Sequence, residues 1–357
     1  MYTNRLSKLR ALLHENGVDG ILIASDVNRR YMSGFTGSSG YVIVTSDKAL
    51  LFSDFRYRTQ APKEAVDYEF IEHGANIMED IKRAIDQYGV RSLAFEAHLM
   101  SVAAFEKYKL ALSEVQLVPG GEWVEQLRMV KDADEIAIIK EATSIADKTF
   151  DHMIGFIKPG MTELEVALEL EFFMRKLGAS STSFDTIIAS GERSALPHGV
   201  ASERVLQDGE FVKMDFGAYY KGYVSDITRT VMLGKPTARH REIYDIVLQA
   251  QLAALNGIRP GMTGKEADAI ARDMIKAHGY GDQFGHGTGH GIGMEIHESP
   301  RLSVTGDIVL QPGMTVTVEP GIYIPGFGGV RIEDDIVITQ SGIEILTHAT
   351  KDFIVIG

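Results

Sequence analysis

The chain contains no cysteine. Disulfides and thiolate zinc sites are excluded, so any metal must sit on oxygen and imidazole. Long apolar runs are also missing. No stretch approaches the roughly 20 residues that cross a bilayer, so a membrane is not an expected partner. The opening segment, Met1 to Gly17, mixes Arg5, Lys8, Arg10, His14 and Glu15 with leucines. It lacks a continuous apolar core and a small-residue cleavage site, and so reads as an amphipathic helix rather than a secretory signal; the expected setting is cytoplasmic. Positive charge is in deficit, with 36 Lys and Arg against 49 Asp and Glu and a formal charge of −13. Such a chain repels a polyanion, so nucleic acid is not an expected partner either.

What remains is a globular composition, 45% apolar and 24% charged, spread over 357 residues. That length exceeds one ordinary core and suits two domains. Helix and strand signals alternate in the first third. Gly20-Ile21-Leu22-Ile23-Ala24 reads as a strand, and Tyr41-Val42-Ile43-Val44 with Ala49-Leu50-Leu51-Phe52 reads as a hairpin across Thr45-Ser46-Asp47-Lys48. Ser92 to Phe95 is strand-like and Val102 to Leu112 helix-like, giving an α/β domain with a mixed sheet. Val118-Pro119-Gly120-Gly121-Glu122 punctuates the chain. The expected domains are therefore 1–125 and 126–357, and a helix is expected to begin near Asp134.

The second domain carries an internal repeat. Ile157-Lys158-Pro159-Gly160-Met161-Thr162 with Glu165 recurs as Ile258-Arg259-Pro260-Gly261-Met262-Thr263 with Glu266. Both copies encode a capping box, Thr at the N-cap and Glu three positions later, leading into an amphipathic helix. The likeness continues on the strands, where Leu206-Gln207, Gly209, Val212, Asp215 and Gly217 parallel Leu310-Gln311, Gly313, Val316, Glu319 and Gly321. The expected architecture is two related halves about a pseudo-two-fold axis.

The repeat puts Asp215 and Glu319 at equivalent strand ends. A second acid follows each, Asp226 and Glu333. Folding the halves together collects four carboxylates, which must be protonated or neutralised by cations. Bridging carboxylates hold two divalent ions about 3.5 Å apart. The run Gly285-His286-Gly287-Thr288-Gly289-His290-Gly291-Ile292-Gly293 is too glycine-rich for a helix, and its glycines let backbone approach an ion or ligand. It fits neither a zincin helix nor a dinucleotide loop. His297 follows it, and His198 sits in Ala195-Leu196-Pro197-His198-Gly199. His14, His73, His152, His240, His278 and His348 are read as structural or exposed.

At these residues the sequence resembles the pita-bread metallopeptidases: methionine aminopeptidase, aminopeptidase P and prolidase. The resemblance rests on Met214-Asp215-Phe216-Gly217, Ser225-Asp226-Ile227-Thr228-Arg229, the His286 to Gly293 run, Val318-Glu319-Pro320-Gly321-Ile322-Tyr323 and Gly329-Val330-Arg331-Ile332-Glu333-Asp334. It covers nearly the whole chain, because a creatinase-like α/β N-terminal domain ahead of an α+β pita-bread domain marks the aminopeptidase P and prolidase branch. Creatinase itself lacks the metal ligands.

The resemblance implies an enzyme in which Asp215, Asp226, His290, Glu319 and Glu333 hold two divalent ions, with Asp215 and Glu333 bridging. An oxygen-rich set of this kind suits manganese (Mn2+), with cobalt, iron or zinc as substitutes. It further implies that a water activated between the ions attacks the peptide and that Glu319 is the general base. His198 and His297 stabilise the oxyanion or hold the peptide nitrogen. His286, Tyr323 and Arg331 line the proline side. The implied substrate is a peptide with proline in second position, cleaved by an Xaa-Pro aminopeptidase, and the implied assembly is a homodimer. The competing reading within the family is an Xaa-Pro dipeptidase, a prolidase. Outside it stand a metal-free peptide-binding protein on the same fold and a carboxylate-pair glycosidase, which leaves the histidines and the repeat unexplained.

Overall fold

The apolar runs of the first third meet in one six-stranded sheet. In a computed structural model describing residues 2–357, its strands are β1 (Gly20–Ile23), β2 (Tyr41–Thr45), β3 (Ala49–Ser53), β4 (Glu69–Glu72), β5 (Ser92–Glu96) and β6 (Gln116–Gly120). They lie in the order β4-β3-β2-β1-β5-β6. The β2–β3 hairpin forms as expected, with Tyr41 opposite Phe52. β1 runs antiparallel to β2 and parallel to β5, so the sheet is mixed. Helices α1 (Tyr2–Glu15), α2 (Asp26–Ser33), α3 (Ala61–Glu64), α4 (Ile77–Gln87) and α5 (Val102–Ala111) connect the strands. Leu22, Ile43, Leu50 and Phe52 of the sheet pack on Ile81 and Ile85 of α4 and Tyr108 of α5.

The Pro-Gly segment read as a break is instead the edge strand β6, where Pro119 pairs with Phe95. An edge strand accepts proline because the missing N–H need not complete a ladder. Helix α6 (Trp123–Met129) follows, and the chain divides into two units between Arg128 and Met129.

The second unit, Met129–Gly357, opens with α7 (Ala133–Phe156), capped by Asp132 and Glu135. It continues with α8 (Glu163–Lys176), α9 (Ala238–Gly257) and α10 (Gly264–Ala277). The repeat is visible bond by bond. Glu165 N donates to Thr162 Oγ1 at 3.1 Å, and Glu266 N to Thr263 Oγ1 at 3.2 Å. Gly160 N donates to Leu206 O at 2.9 Å, and Gly261 N to Leu310 O at 2.8 Å. Both glycines hold φ near +90° (91° and 90°), which a side chain would strain.

Its strands are β7 (Ser181–Thr182), β8 (Ile187–Ser190), β9 (Glu210–Phe216), β10 (Ala218–Tyr220), β11 (Tyr223–Val224), β12 (Ile227–Leu233), β13 (Gly289–Gly291), β14 (Glu298–Leu302), β15 (Thr315–Val318), β16 (Gly321–Ile324), β17 (Gly328–Arg331), β18 (Asp334–Ile338), β19 (Ile343–Ile345) and β20 (Val355–Ile356). The two larger sheets run β20-β12-β9-β8 and β14-β13-β15-β18-β19, beside a three-stranded β11-β10-β7 and a two-stranded β16-β17 sheet. Each half has its own apolar core, one centred on Val212, Met214, Phe216 and α8, the other on Val316, Val318, Ile336 and α10. Among the described residues no helix is long and apolar enough to cross a membrane.

Each half also contains a hairpin whose register runs unbroken through the site. Asp215 pairs with Thr228 and Tyr219 with Val224 in the first half; Val318 pairs with Asp334 and Gly321 with Arg331 in the second. With Asp215 and Glu319 as counterparts, this register makes Thr228 the counterpart of Glu333 and Asp226 the counterpart of Arg331. The second acids of the two halves are therefore not symmetry mates. Asp226 stands two residues before its half's equivalent of Glu333.

The two capping threonines have no partner in common. Thr162→Ala and Thr263→Ala are each expected to cost about 1 kcal/mol, and the double variant about the sum. Denaturant titration of the three variants checks this; no loss from either would show that its cap is not holding the helix start.

Candidate active site

The hairpins bring the acids together. Asp215 lies near the end of β9, Asp226 just before β12, Glu319 just after β15, and Glu333 between β17 and β18. One carboxylate oxygen from each of Asp215, Asp226 and Glu333 lies within 4.8 Å of the other two. His290, in the middle of β13, brings Nε2 to 3.3 Å from Glu319 Oε1 and 3.7 Å from Asp226 Oδ2. The flanking glycines make this approach possible. A Cβ on Gly289 would stand 2.0 Å from Thr317 O, and one on Gly291 2.3 Å from Ser299 O. The five residues read as metal ligands thus occupy one place.

Their electrostatics are unfavourable as bare groups. Burial pushes the carboxyls of Asp226 and Glu333 well above the usual range, and the neighbouring acids push further. Burial lifts Glu319 to about 7. Among the described residues, Asp226 Oδ1 and Glu333 Oε1 are buried without a hydrogen-bond partner. His290 Nδ1 lies 3.1 Å from Gly291 O. A carbonyl only accepts, so the proton is on Nδ1 and the Nε2 lone pair faces the acids. Burial lowers this imidazole to about 3, which keeps it neutral. A lone pair facing carboxylate oxygens, with orphaned oxygens beside it, calls for cations between them. Four carboxylates and one oriented imidazole fit divalent metal.

A cavity of about 510 Å³ opens onto this cluster. His198, His286, His297 and Arg331 line it. Tyr323 does not line it. Its hydroxyl lies behind the wall, 2.7 Å from His286 Nε2 and 2.8 Å from Arg331 Nη1. His286 Nδ1 lies 2.7 Å from Gly287 O, so Nε2 accepts from Tyr323, and burial holds the ring near 4. The Arg331 guanidinium, expected to line the proline side, is already engaged. It binds Asp215 through Nη2, Thr228 Oγ1 through Nε at 2.9 Å, and Pro197 O through Nη1 at 3.1 Å. It fastens a carboxylate of the cluster and neutralises part of its charge.

Phe184, Asp185, Ile187, Val200, Ile296, Arg301 and Ser303 also line the cavity, and sequence reasoning missed them. Nothing in the sequence sets Arg301 apart from other arginines. Its place follows from the β13–β14 pairing, which puts it directly across from His290 and on the same sheet face. Lys213 was missed as well. It is fully buried on β9, and burial together with the Arg331 charge holds its ammonium well below the usual range.

Residues 137–340 match metallopeptidase family M24, and residues 5–130 match the creatinase/prolidase N-terminal domain. The chain belongs to metallopeptidase family M24, in its aminopeptidase P and prolidase branch, and is an enzyme built as a pita-bread domain preceded by a creatinase-like domain. It is 52% identical to the Xaa-Pro dipeptidase of Bacillus anthracis, whose structure matches with a TM-score of 0.98 over 99% of this chain and 100% of that one. It is 43% identical to the Xaa-Pro dipeptidase of Pyrococcus furiosus, over 98% of this chain and 99% of the relative. The X-Pro aminopeptidase of Thermotoga maritima matches with a TM-score of 0.91 at 41% identity, over 95% of this chain and 98% of that one.

The raised acids tie stability and metal affinity to pH. Glu319 has its carboxyl near 7 in the folded chain against an ordinary 4.5, so the metal-free fold holds a proton that the unfolded chain has lost. Its contribution to stability is complete below about 4.5 and falls as pH rises towards 7. Divalent ions displace the same protons, so affinity falls as pH drops from about 8 to 6. Calorimetric titration with manganese in buffers of different ionisation enthalpy is expected to show proton release that grows below about pH 7. Proton uptake, or an affinity independent of pH, would contradict this electrostatic picture.

Proposed function

We propose that this metallopeptidase is an Xaa-Pro dipeptidase. Arg301 carries the reading. It is an exposed guanidinium on the cavity wall across from His290, and among the described residues it makes no ion pair. A dipeptide presents its free carboxylate one residue beyond the scissile bond, and an arginine fork is suited to receive it. A longer peptide has no such charge at that distance. The likeness to the two Xaa-Pro dipeptidases points the same way. The Xaa-Pro aminopeptidase expectation is the second reading, favoured by the likeness to the Thermotoga maritima enzyme.

In this reading Asp215, Asp226, His290, Glu319 and Glu333 hold two divalent ions, manganese first and cobalt, iron or zinc as substitutes. Two such ions supply a water of lowered pKa and polarise a peptide carbonyl. Glu319, with its carboxyl near 7, takes the proton of the attacking water and returns it to the departing proline nitrogen. Arg331 holds Asp215 in place, and Tyr323 orients His286 against it. His198 and His297 donate to the developing oxyanion or hold the peptide nitrogen. A peptide bond before proline is a tertiary amide without N–H, so the site must recognise shape instead. Phe184, Ile187, Val200 and Ile296 give the cavity an apolar side suited to the pyrrolidine ring. The homodimer implied by the resemblance and the cytoplasmic setting expected from the opening segment belong to the same proposal.

Purified protein loaded with manganese is expected to hydrolyse an Xaa-Pro dipeptide and to leave an Xaa-Pro-Yaa tripeptide nearly intact. Arg301→Met is expected to lower kcat/KM for the dipeptide by roughly tenfold to a hundredfold, the loss of one charge-assisted bond, mainly through KM. Equal cleavage of both peptides, with no effect of Arg301→Met on either, would decide for the aminopeptidase. Unchanged peptide after long incubation would leave only the binding-protein reading.

A further inference from the structure

Lys213 is a buried cation beside the site that the chemistry above leaves unused. It sits on β9 two residues before Asp215, on the same face of the strand. Its side chain is fully enclosed. Nζ donates to Leu196 O at 2.5 Å and to Pro197 O at 3.2 Å, and stands 5.1 Å from the centre of the Tyr323 ring. Both acceptors are neutral carbonyls. Enclosing an ammonium among dipoles costs stability relative to an apolar side chain of the same length.

The position of those carbonyls gives the side chain a purpose. Leu196 and Pro197 are the two residues immediately before His198, and Pro197 O also accepts from Arg331 Nη1 at 3.1 Å. The turn is tight: Leu196 N donates to Arg193 O at 2.8 Å and Val200 N to His198 O at 3.0 Å. His198 is exposed on the cavity wall, and among the described residues its ring has no hydrogen-bond partner. With nothing holding the ring itself, its place in the cavity is set by the backbone of this turn. Two cations fasten that backbone, and only one of them, Arg331, is also tied to the acidic cluster.

We propose that Lys213 is a positioning residue, clamping the Leu196–Pro197 carbonyls so that His198 is presented to the substrate. This rests on the role given to His198 above. It differs from a packing role, because removing the ammonium relieves a cost to the fold while releasing the turn.

The test uses the full-length, manganese-loaded enzyme with Lys213→Met, His198→Ala and the double variant, assayed on an Xaa-Pro dipeptide. Lys213→Met is expected to keep or raise Tm, keep the metal content, and lower kcat roughly tenfold to a hundredfold with little change in KM. In the His198→Ala background it is expected to add almost nothing. Full activity of Lys213→Met beside an impaired His198→Ala overturns the clamp. Losses that multiply in the double variant also overturn it, since Lys213 would then act elsewhere, as does a large fall in Tm, which marks a purely structural side chain. If His198→Ala is itself fully active, the role of His198 falls and the clamp with it, while dipeptide hydrolysis by the unaltered enzyme stands or fails on its own.

Discussion

The catalytic unit is organised around mutual repulsion. Asp215, Asp226 and Glu333 share a space too small for three bare anions, and Glu319 joins them through His290. Water would relieve this, but the carboxylates are largely buried at the edge of the cavity. Everything nearby can be read as compensation. Arg331 is drawn onto Asp215, Thr228 onto Glu333, and His290 is kept neutral with its lone pair turned inwards. These partners reduce the charge without cancelling it. The remainder is what makes the site a receptor for divalent ions.

A cluster with such internal pressure needs a stiff frame, and the duplicated half-domain supplies one. Each half delivers its acids from a continuous hairpin backed by a helix with a capped start and an independent apolar core. The halves then interlock at the site: Glu333 N donates to Thr228 O at 3.1 Å, and Arg331 N to Thr230 Oγ1 at 3.2 Å. Behind this seam, Arg229 reaches Asp334 and the Ala349 and Thr350 carbonyls, tying the C-terminal segment to the same strands. The acids sit on a strand or within two residues of a strand end rather than in long loops, which suits a site that must hold charges at fixed separation.

Much of this was legible in the sequence because it is local or repeated. Thr162 and Thr263 announce their helices through cap chemistry, and Asp215 and Glu319 announce each other through the repeat. His290 stands out because glycine surrounds it. What was not legible depends on pairing between distant strands. Arg301 becomes a cavity residue only when β14 lies beside β13, and Lys213 only when the turn before His198 folds over β9. Tyr323 and Arg331 lie beside the cluster, but their bonding is inward, to His286, Asp215 and Thr228. Sequence order does not reveal which side of a strand is already occupied. The proline at position 119 misled for a related reason, since a break and an edge strand tolerate proline alike.

The unequal hairpins have one more consequence. A pocket on a strict two-fold axis would offer identical groups to both ends of whatever entered it. Here Asp226 stands where the other half has Arg331, and Thr228 where it has Glu333. The exchange gives a symmetric scaffold a polarity, with a carboxylate oxygen unpaired among the described residues on one side and a guanidinium bound to Asp215 on the other.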